Sequence, residues 1–194
     1  DRDWSSDVCS SDLYVVRGVK FVETYLSYLE RRYGIVIHFF PHPELSEFRR
    51  NGRYCMPRPD YPKLTFNDVD AAVRQQIGWP RDPNWITPGE RKQDSLQRRG
   101  MINARGNGLD ELRHRAYPLA EWTTQDVANH LTSRNIPRAP DYQMRASSWG
   151  GSLHPDWLTA IYEHHPEDFR VIEQAFPFVM SAVVKTRRAR KVAP

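Results

Sequence analysis

A chain of 194 residues is long enough for one α/β domain with a substantial core and short for two. Hydrophobic residues make up 39%, charged residues 27% and aromatic residues 12%, a polar but globular balance that excludes a disordered or fibrous polymer. The formal charge of +4 favours phosphate-bearing partners without choosing between a nucleotide and a nucleic acid.

The strongest apolar runs, residues 35–40 and 176–184, fall well short of the roughly 20 residues that span a bilayer, so no membrane partner is expected. No basic stretch followed by an apolar one opens the chain, so no secretory signal is visible. Cys9 and Cys55 are the only cysteines, which argues against a disulfide framework and makes a reducing cytoplasm the default location.

Residues 1–13 (DRDWSSDVCSSDL) have no hydrophobic period and repeat a Ser-Ser-Asp unit. The stretch reads as a translated sequencing-adapter segment fused to a truncated reading frame, with a genuine disordered arm as the alternative. Either reading sets it outside the fold. Asp1, Asp3, Asp7 and Asp12 against Arg2 give it a net charge of −3, which leaves +7 on the remainder of the +4 chain.

From residue 14 to 33 a helix is predicted, because Val15, Val19, Val22, Leu26 and Leu29 recur at three- and four-residue steps and Gly34 supplies a stop. Residues 35–40 (IVIHFF), closed by Pro41, read as a short buried strand. A helix followed directly by a buried strand points to an α/β layered domain with a mostly parallel sheet. Residues 42–63 read as loop with a short helix near 44–50. Thr65 and Asp68 form an N-terminal capping pattern for a helix over 65–77, ended by Gly78-Trp79-Pro80. Residues 84–87 predict a second short strand leading into Pro88-Gly89.

Thr123 and Asp126 repeat the capping pattern for a helix carrying Val127, His130 and Leu131 inward, which 135–140 then break. Two further helices are predicted over 155–165 and 166–175, each opened by a proline. The basic run 185–191 (KTRRARK) has no apolar stripe and should fray. His38, His42 and Cys55 show no diagnostic ligand spacing, and His154, His164 and His165 read as surface residues or helix polar positions, so no metal is predicted. Cys55 lies between Arg53 and Arg58, which leaves a reactive thiol and an incidental loop cysteine as alternatives.

The segment that carries chemistry is 89–98 (GERKQDSLQR), of the form G-x-R-x-x-[D/E]-S-x-x-R. Gly89 permits a tight turn where a side chain would obstruct a ligand. Arg91 and Arg98 are planar, permanently charged donors suited to phosphate or sulfate. Asp94 and Ser95 can open a helix whose free N–H groups favour an anion, with Ser95 and Arg98 on one face. The alternative is a solvated basic face in which Asp94 and Arg98 form an i,i+4 ion pair of about 0.3–0.5 kcal/mol.

A second block decides between them. Pro118-Leu119-Ala120-Glu121-Trp122 with Asp126-Val127 follows the first at the right distance, and Ile136-Pro137 and Asp141-Tyr142 come after. Residues 21–25 (FVETY) ahead of 33–37 (YGIVI) complete a pattern that resembles the phosphoadenosine phosphosulfate (PAPS) reductase family of the adenine-nucleotide α-hydrolase superfamily, over roughly residues 21–142. The resemblance implies a Rossmann-like, mostly parallel sheet with flanking helices over 14–145, incomplete at its N-terminus. A helical C-terminal extension with a basic tail over 146–194 would follow. It implies a nucleotide substrate, PAPS or ATP, held at its phosphate or sulfate end by Gly89, Arg91, Asp94, Ser95 and Arg98. The enzyme would act in sulfur metabolism or sulfur transfer with a redox or sulfur-donor protein as partner.

Two departures qualify this. The family's Ser-Gly-Gly-x-Asp-Ser phosphate loop is missing upstream of Phe21, so the chain as given should bind nucleotide poorly and be inactive. No cysteine follows Cys55 to attack a sulfonate, which favours sulfur transfer or adenylation over thioredoxin-coupled reduction. The rival reading is a non-enzymatic, basic nucleic-acid-binding or accessory protein; it is less favoured because the basic residues are scattered in the sequence.

Overall fold

The computed structural model describes residues 9–77, 85–140, 144 and 153–192. They fall into two compact units: residues up to Val73 together with those from Ala139 onward, and Arg74–Arg138. Among the described residues the class is mixed α/β and rich in helix, with eight α-helices and two two-stranded sheets.

In unit one, strand β1 (Cys9–Tyr14) runs parallel to β2 (Val36–Pro41), with Cys9 opposite Val36 and Tyr14 opposite Pro41. Helix α1 (Lys20–Tyr33) crosses between them. Residues 9–13 were expected to lie outside the fold, yet they form most of β1. Strand pairing uses main-chain groups, so a Ser-Ser-Asp tract can join a ladder without an apolar period. Partial burial then pushes the Asp12 carboxyl above its ordinary range, and Arg17 pulls it back in part.

Helix α1 begins six residues later than its apolar spacing predicts. Gly18 adopts a left-handed backbone (φ 81°) that ends the strand connection, and Val19 is extended. Val15 and Val19 are buried all the same, so they belong to the core without belonging to the helix. The predicted stop holds: Gly34 is left-handed and donates its N–H to the Glu30 carbonyl. Strand β2 is only half covered, with Ile37 and Phe40 buried and Val36 59% exposed.

Helix α2 (Pro43–Asn51) is capped by His42, whose Nδ1 accepts from the Glu44 N–H at 3.1 Å, and ends at the left-handed Gly52. Helix α3 (Phe66–Ile77) opens with the predicted exchange between Thr65 and Asp68. Its predicted terminator, Gly78-Trp79-Pro80, lies outside the described residues.

Most of the core of unit one comes from the C-terminal part, which the sequence had set apart as an extension. Helices α6 (Pro155–His164), α7 (Pro166–Ala175) and α8 (Met180–Val192) place Leu158, Ile161, Ile172, Phe176 and Val183 against Val15, Phe21 and Phe48. The basic run expected to fray is the second half of α8. Its apolar contacts come from the preceding residues, because Val179, Ala182 and Val183 are buried. Arg190 then pairs with Asp156 at 3.3 Å and Arg187 with Glu163 at 3.8 Å, both partners on α6.

Unit two contains α4 (Leu96–Ala104), the short antiparallel pair β3 (Leu109–Asp110) and β4 (Arg115–Ala116), and α5 (Thr124–Ser133). The strand predicted over 84–87 is reduced to one parallel bridge between Ile86 and Arg115; Asn84 lies outside the described residues. Ile102, Tyr117 and Ala120 form a small buried cluster.

Helix α1 has no side-chain cap of its own. The carboxylate of Asp168, only 7% exposed, accepts instead from the N–H groups of Lys20 at 2.7 Å and Phe21 at 3.2 Å. Replacing Asp168 with Ala should destabilise unit one by about 2–4 kcal/mol, since two charge-assisted bonds to a buried helix start are lost. Asp168→Asn, which keeps one acceptor oxygen, should lose clearly less. Urea denaturation followed by circular dichroism measures both, and equal losses would show that the cap is not the cause.

Candidate anion site on the 89–98 segment

Helix α4 starts where the sequence placed a helix opening. Ser95 is its N-cap, and its Oγ accepts from the Arg98 N–H at 3.0 Å. Ahead of the cap, the Asp94 N–H donates to the Arg91 carbonyl at 3.1 Å, which folds the chain back. This turn brings Arg91, Asp94 and Arg98 together.

Asp94 is the centre of the group. Its Oδ1 accepts from Arg91 Nε at 3.0 Å and Nη2 at 2.7 Å, and its Oδ2 accepts from the Arg91 main-chain N–H at 2.9 Å. Arg98 approaches the same carboxylate at 3.5 Å and Glu90 at 3.5 Å. The side chains of Arg91 and Asp94 are 18% and 17% exposed, while that of Arg98 is 48% exposed. Two arginines and two carboxylates therefore balance in charge. The i,i+4 ion pair between Asp94 and Arg98 forms as the spacing anticipated, but it is the looser contact; the tight one is Arg91 to Asp94.

Two atoms in the group are left over. Arg91 Nη1 and Glu90 Oε2 are buried and have no hydrogen-bond partner among the described residues. A buried donor left unpaired costs about 1–3 kcal/mol, and so does a buried acceptor. Gly89 has an ordinary backbone, and a Cβ there would meet nothing within 4 Å. Neither backbone conformation nor a neighbouring atom requires glycine at this position; the space beside it is open.

Lys92 and Gln93, read from the sequence as part of a solvated face or not singled out, prove to be the tethers. The Lys92 ammonium bonds Asn107 Oδ1 and Glu121 Oε1, and its N–H donates to the Ala120 carbonyl at 2.9 Å. Gln93 Oε1 accepts from the Thr124 N–H at 2.7 Å. These bonds hold the 89–98 segment against residues 120–124, so two blocks separated in sequence are neighbours in space. The local signal was a lysine and a glutamate in separate motifs, which no helical or strand period could have paired.

Trp122 of the second block stands just ahead of the Thr123 cap. It is half-buried and packs edge-on against His130 of α5, with ring centroids 5.3 Å apart. The following helix has the predicted capping box, Thr123 and Asp126 exchanging bonds in both directions. Asp141-Tyr142 lies outside the described residues. Cys55 is buried in the core of unit one with Sγ 3.6 Å from the Phe48 carbonyl, which removes the access a reactive thiol needs. Among the described residues no group of three His, Cys, Asp or Glu side chains could hold a metal ion, and no helix is long and apolar enough to cross a membrane.

Bonds from the main chain and side chain of Thr123 hold the Asp126 carboxyl below its ordinary range, and Thr65 does the same for Asp68. A carboxylate whose folded value is depressed stabilises the fold fully above its unfolded value and loses that contribution as pH falls through the folded one. The difference in unfolding midpoint between the wild type and Asp126→Asn should therefore be constant near neutrality and disappear only below the ordinary carboxylate range. A difference that disappears at higher pH would contradict the cap. At the site itself, Ser95→Ala should cost about 1 kcal/mol through loss of the α4 cap, read by chemical denaturation, while Ser95→Asp should cost little.

Compared with protein-family models, curated proteins and solved structures, the chain matches none.

Proposed function

We propose that the 89–98 segment binds the phosphate or sulfate end of an adenine nucleotide, PAPS or ATP, in an enzyme of PAPS reductase-like type that works in sulfur metabolism or sulfur transfer. The observation that carries this reading is the state of Arg91. Asp94 takes two of its donors and fixes the plane of the guanidinium, which leaves Nη1 buried and unpaired beside the N-terminus of α4. A bound anion would supply the missing acceptor and would meet the free N–H groups of the first helical turn.

Arg98 would be the mobile arm. Its contacts at 3.5 Å to Glu90 and Asp94 are of the weak, half-exposed kind worth about 0–1 kcal/mol, so exchanging them for a ligand anion costs little. Glu90 Oε2 lacks a donor, which a ligand hydroxyl or amino group would provide. Ser95 keeps its Oγ on the helix start and therefore serves the site by holding α4 in place. Lys92 and Gln93 position the segment.

The parallel β1–α1–β2 unit is consistent with a Rossmann-like domain of the adenine-nucleotide α-hydrolase type, since parallel strands joined through a helix are its repeating element. A redox or sulfur-donor protein would then be the second partner.

Isothermal calorimetry with PAPS, ATP and inorganic sulfate tests the reading. Arg91→Ala and Arg98→Ala should each weaken binding by about 10- to 100-fold, the loss of a charge-assisted contact worth 1.5–3 kcal/mol. Affinity for inorganic sulfate unchanged in both variants, or no binding of inorganic sulfate by the wild type, would overturn it.

A further inference from the structure

The outward face of α8 carries a charge that the fold does not use. Ala182 and Val183 are buried, and Arg187 and Arg190 reach Glu163 and Asp156 on α6, so this face of the helix is occupied by its own unit. Lys185, Arg188 and Lys191 lie on the opposite side at steps of three, exposed, together with Ser181 and the exposed Val184. None of the three cations has an ion-pair partner among the described residues, and α8 contains no acidic residue. They extend over about 9 Å of helix axis at 1.5 Å per residue. Lys191 in the last turn is favoured by the helix dipole, which accounts for one of the three; Lys185 and Arg188 lie outside that turn.

Just ahead of α8 an aromatic residue is exposed beside Ser181, whose Oγ donates to the Phe178 carbonyl at 2.7 Å. Phe178 is 47% exposed, and its N–H donates to the Tyr54 carbonyl at 2.8 Å, which holds its backbone in place. Beside it, Arg53 stacks over Phe48 at 4.5 Å and Tyr54 at 5.5 Å from the ring centroids, without a carboxylate partner among the described residues. Tyr54 itself has a left-handed backbone (φ 60°), a conformation that costs an aromatic residue energy and places its carbonyl toward Phe178. Exposed cations next to exposed aromatic surface are what a single nucleic-acid strand requires: cations for the phosphates and a ring face for a base.

We infer that the Lys185–Arg188–Lys191 face of α8, with Phe178 at its start, docks the phosphodiester backbone of a single nucleic-acid strand. The basic residues that are scattered along the sequence are gathered here by the helix. An anionic membrane fits less well, since a helix lying in a headgroup layer needs an apolar face to insert, and that face of α8 is already buried against its own unit. The inference uses neither Arg91 nor Arg98 and stands apart from the nucleotide reading.

Fluorescence anisotropy with labelled oligothymidylate and oligouridylate, over a salt series, tests it on the full chain. Binding should weaken with salt at a slope of about −2 in log–log form, as three phosphate contacts on a single strand require. The triple variant Lys185→Glu, Arg188→Glu, Lys191→Glu should lose at least tenfold in affinity. A control of equal charge change at other exposed sites, Lys63→Glu, Arg31→Glu, Arg170→Glu, should lose less than threefold. Circular dichroism checks that both are folded; if the first is not, the glutamine triple at the same positions replaces it and should still lose binding and flatten the salt slope. Wild-type affinity in the α8 variants, an equal loss in the control, or binding to phosphatidylserine vesicles but to neither strand would overturn the inference.

Discussion

Asp168 joins the two ends of the chain that make up unit one. Its buried carboxylate caps a helix that begins 148 residues earlier, at Lys20. Helix starts carry N–H groups with no intrahelical acceptor, and one that is buried must find an acceptor elsewhere. Val19 offers no side-chain oxygen, so α1 depends on α7 for its first turn. That bond sets Phe21 against His165 at 4.9 Å and Trp157 at 6.3 Å. It also fixes where α1 delivers the chain at Gly34, and so where β2 meets β1. Remove the anchor and the strand pair loses its spacing as well as the helix its cap.

Unit two works differently, because its buried cluster is small. Ile102, Tyr117 and Ala120 cannot by themselves position residues 89–95, which precede α4. Polar tethers do so: Lys92 to Asn107 and Glu121, Gln93 to Thr124, Arg91 to Asp94. The price of this arrangement is a pair of buried polar atoms with no partner, Arg91 Nη1 and Glu90 Oε2. In a well-satisfied fold such atoms are few; among the described residues Tyr117 Oη and Trp157 Nε1 are two more, and only Glu90 and Arg91 set two of them side by side, in the segment whose residue types suit an anion.

Much of the local structure was legible. The caps at Thr65 and Thr123, the stop at Gly34, the prolines opening α6 and α7 and the helix opening at Ser95 all appear where the residue types place them. Each rests on a backbone preference or a bond between groups within five residues, so its information lies within a short window. The errors have a common origin. Val15 and Val19 fit a helical period but belong to the turn before it, since Gly18 and the parallel strand claim that stretch. The 185–191 run lacks apolar residues, yet it is helical because the buried residues just before it and two ion pairs to α6 hold it. Within the candidate site, Arg91, Asp94, Ser95 and Arg98 were named from their spacing, while Lys92 and Gln93 could not be, since their partners lie 15 to 31 residues away.

The sequence by itself determined the α/β character, most of the helix caps and stops, and the helix opening at Ser95 with Arg91, Asp94 and Arg98 close to it along the chain. These follow from hydrogen-bond geometry and side-chain reach over one or two helical turns. Only the tertiary structure decided that residues 9–13 pair with β2, that the C-terminal helices carry the core of unit one, and that one face of α8 is left cationic. Those outcomes depend on which surfaces are removed from water together, and burial is a property of distant segments meeting that no local pattern contains.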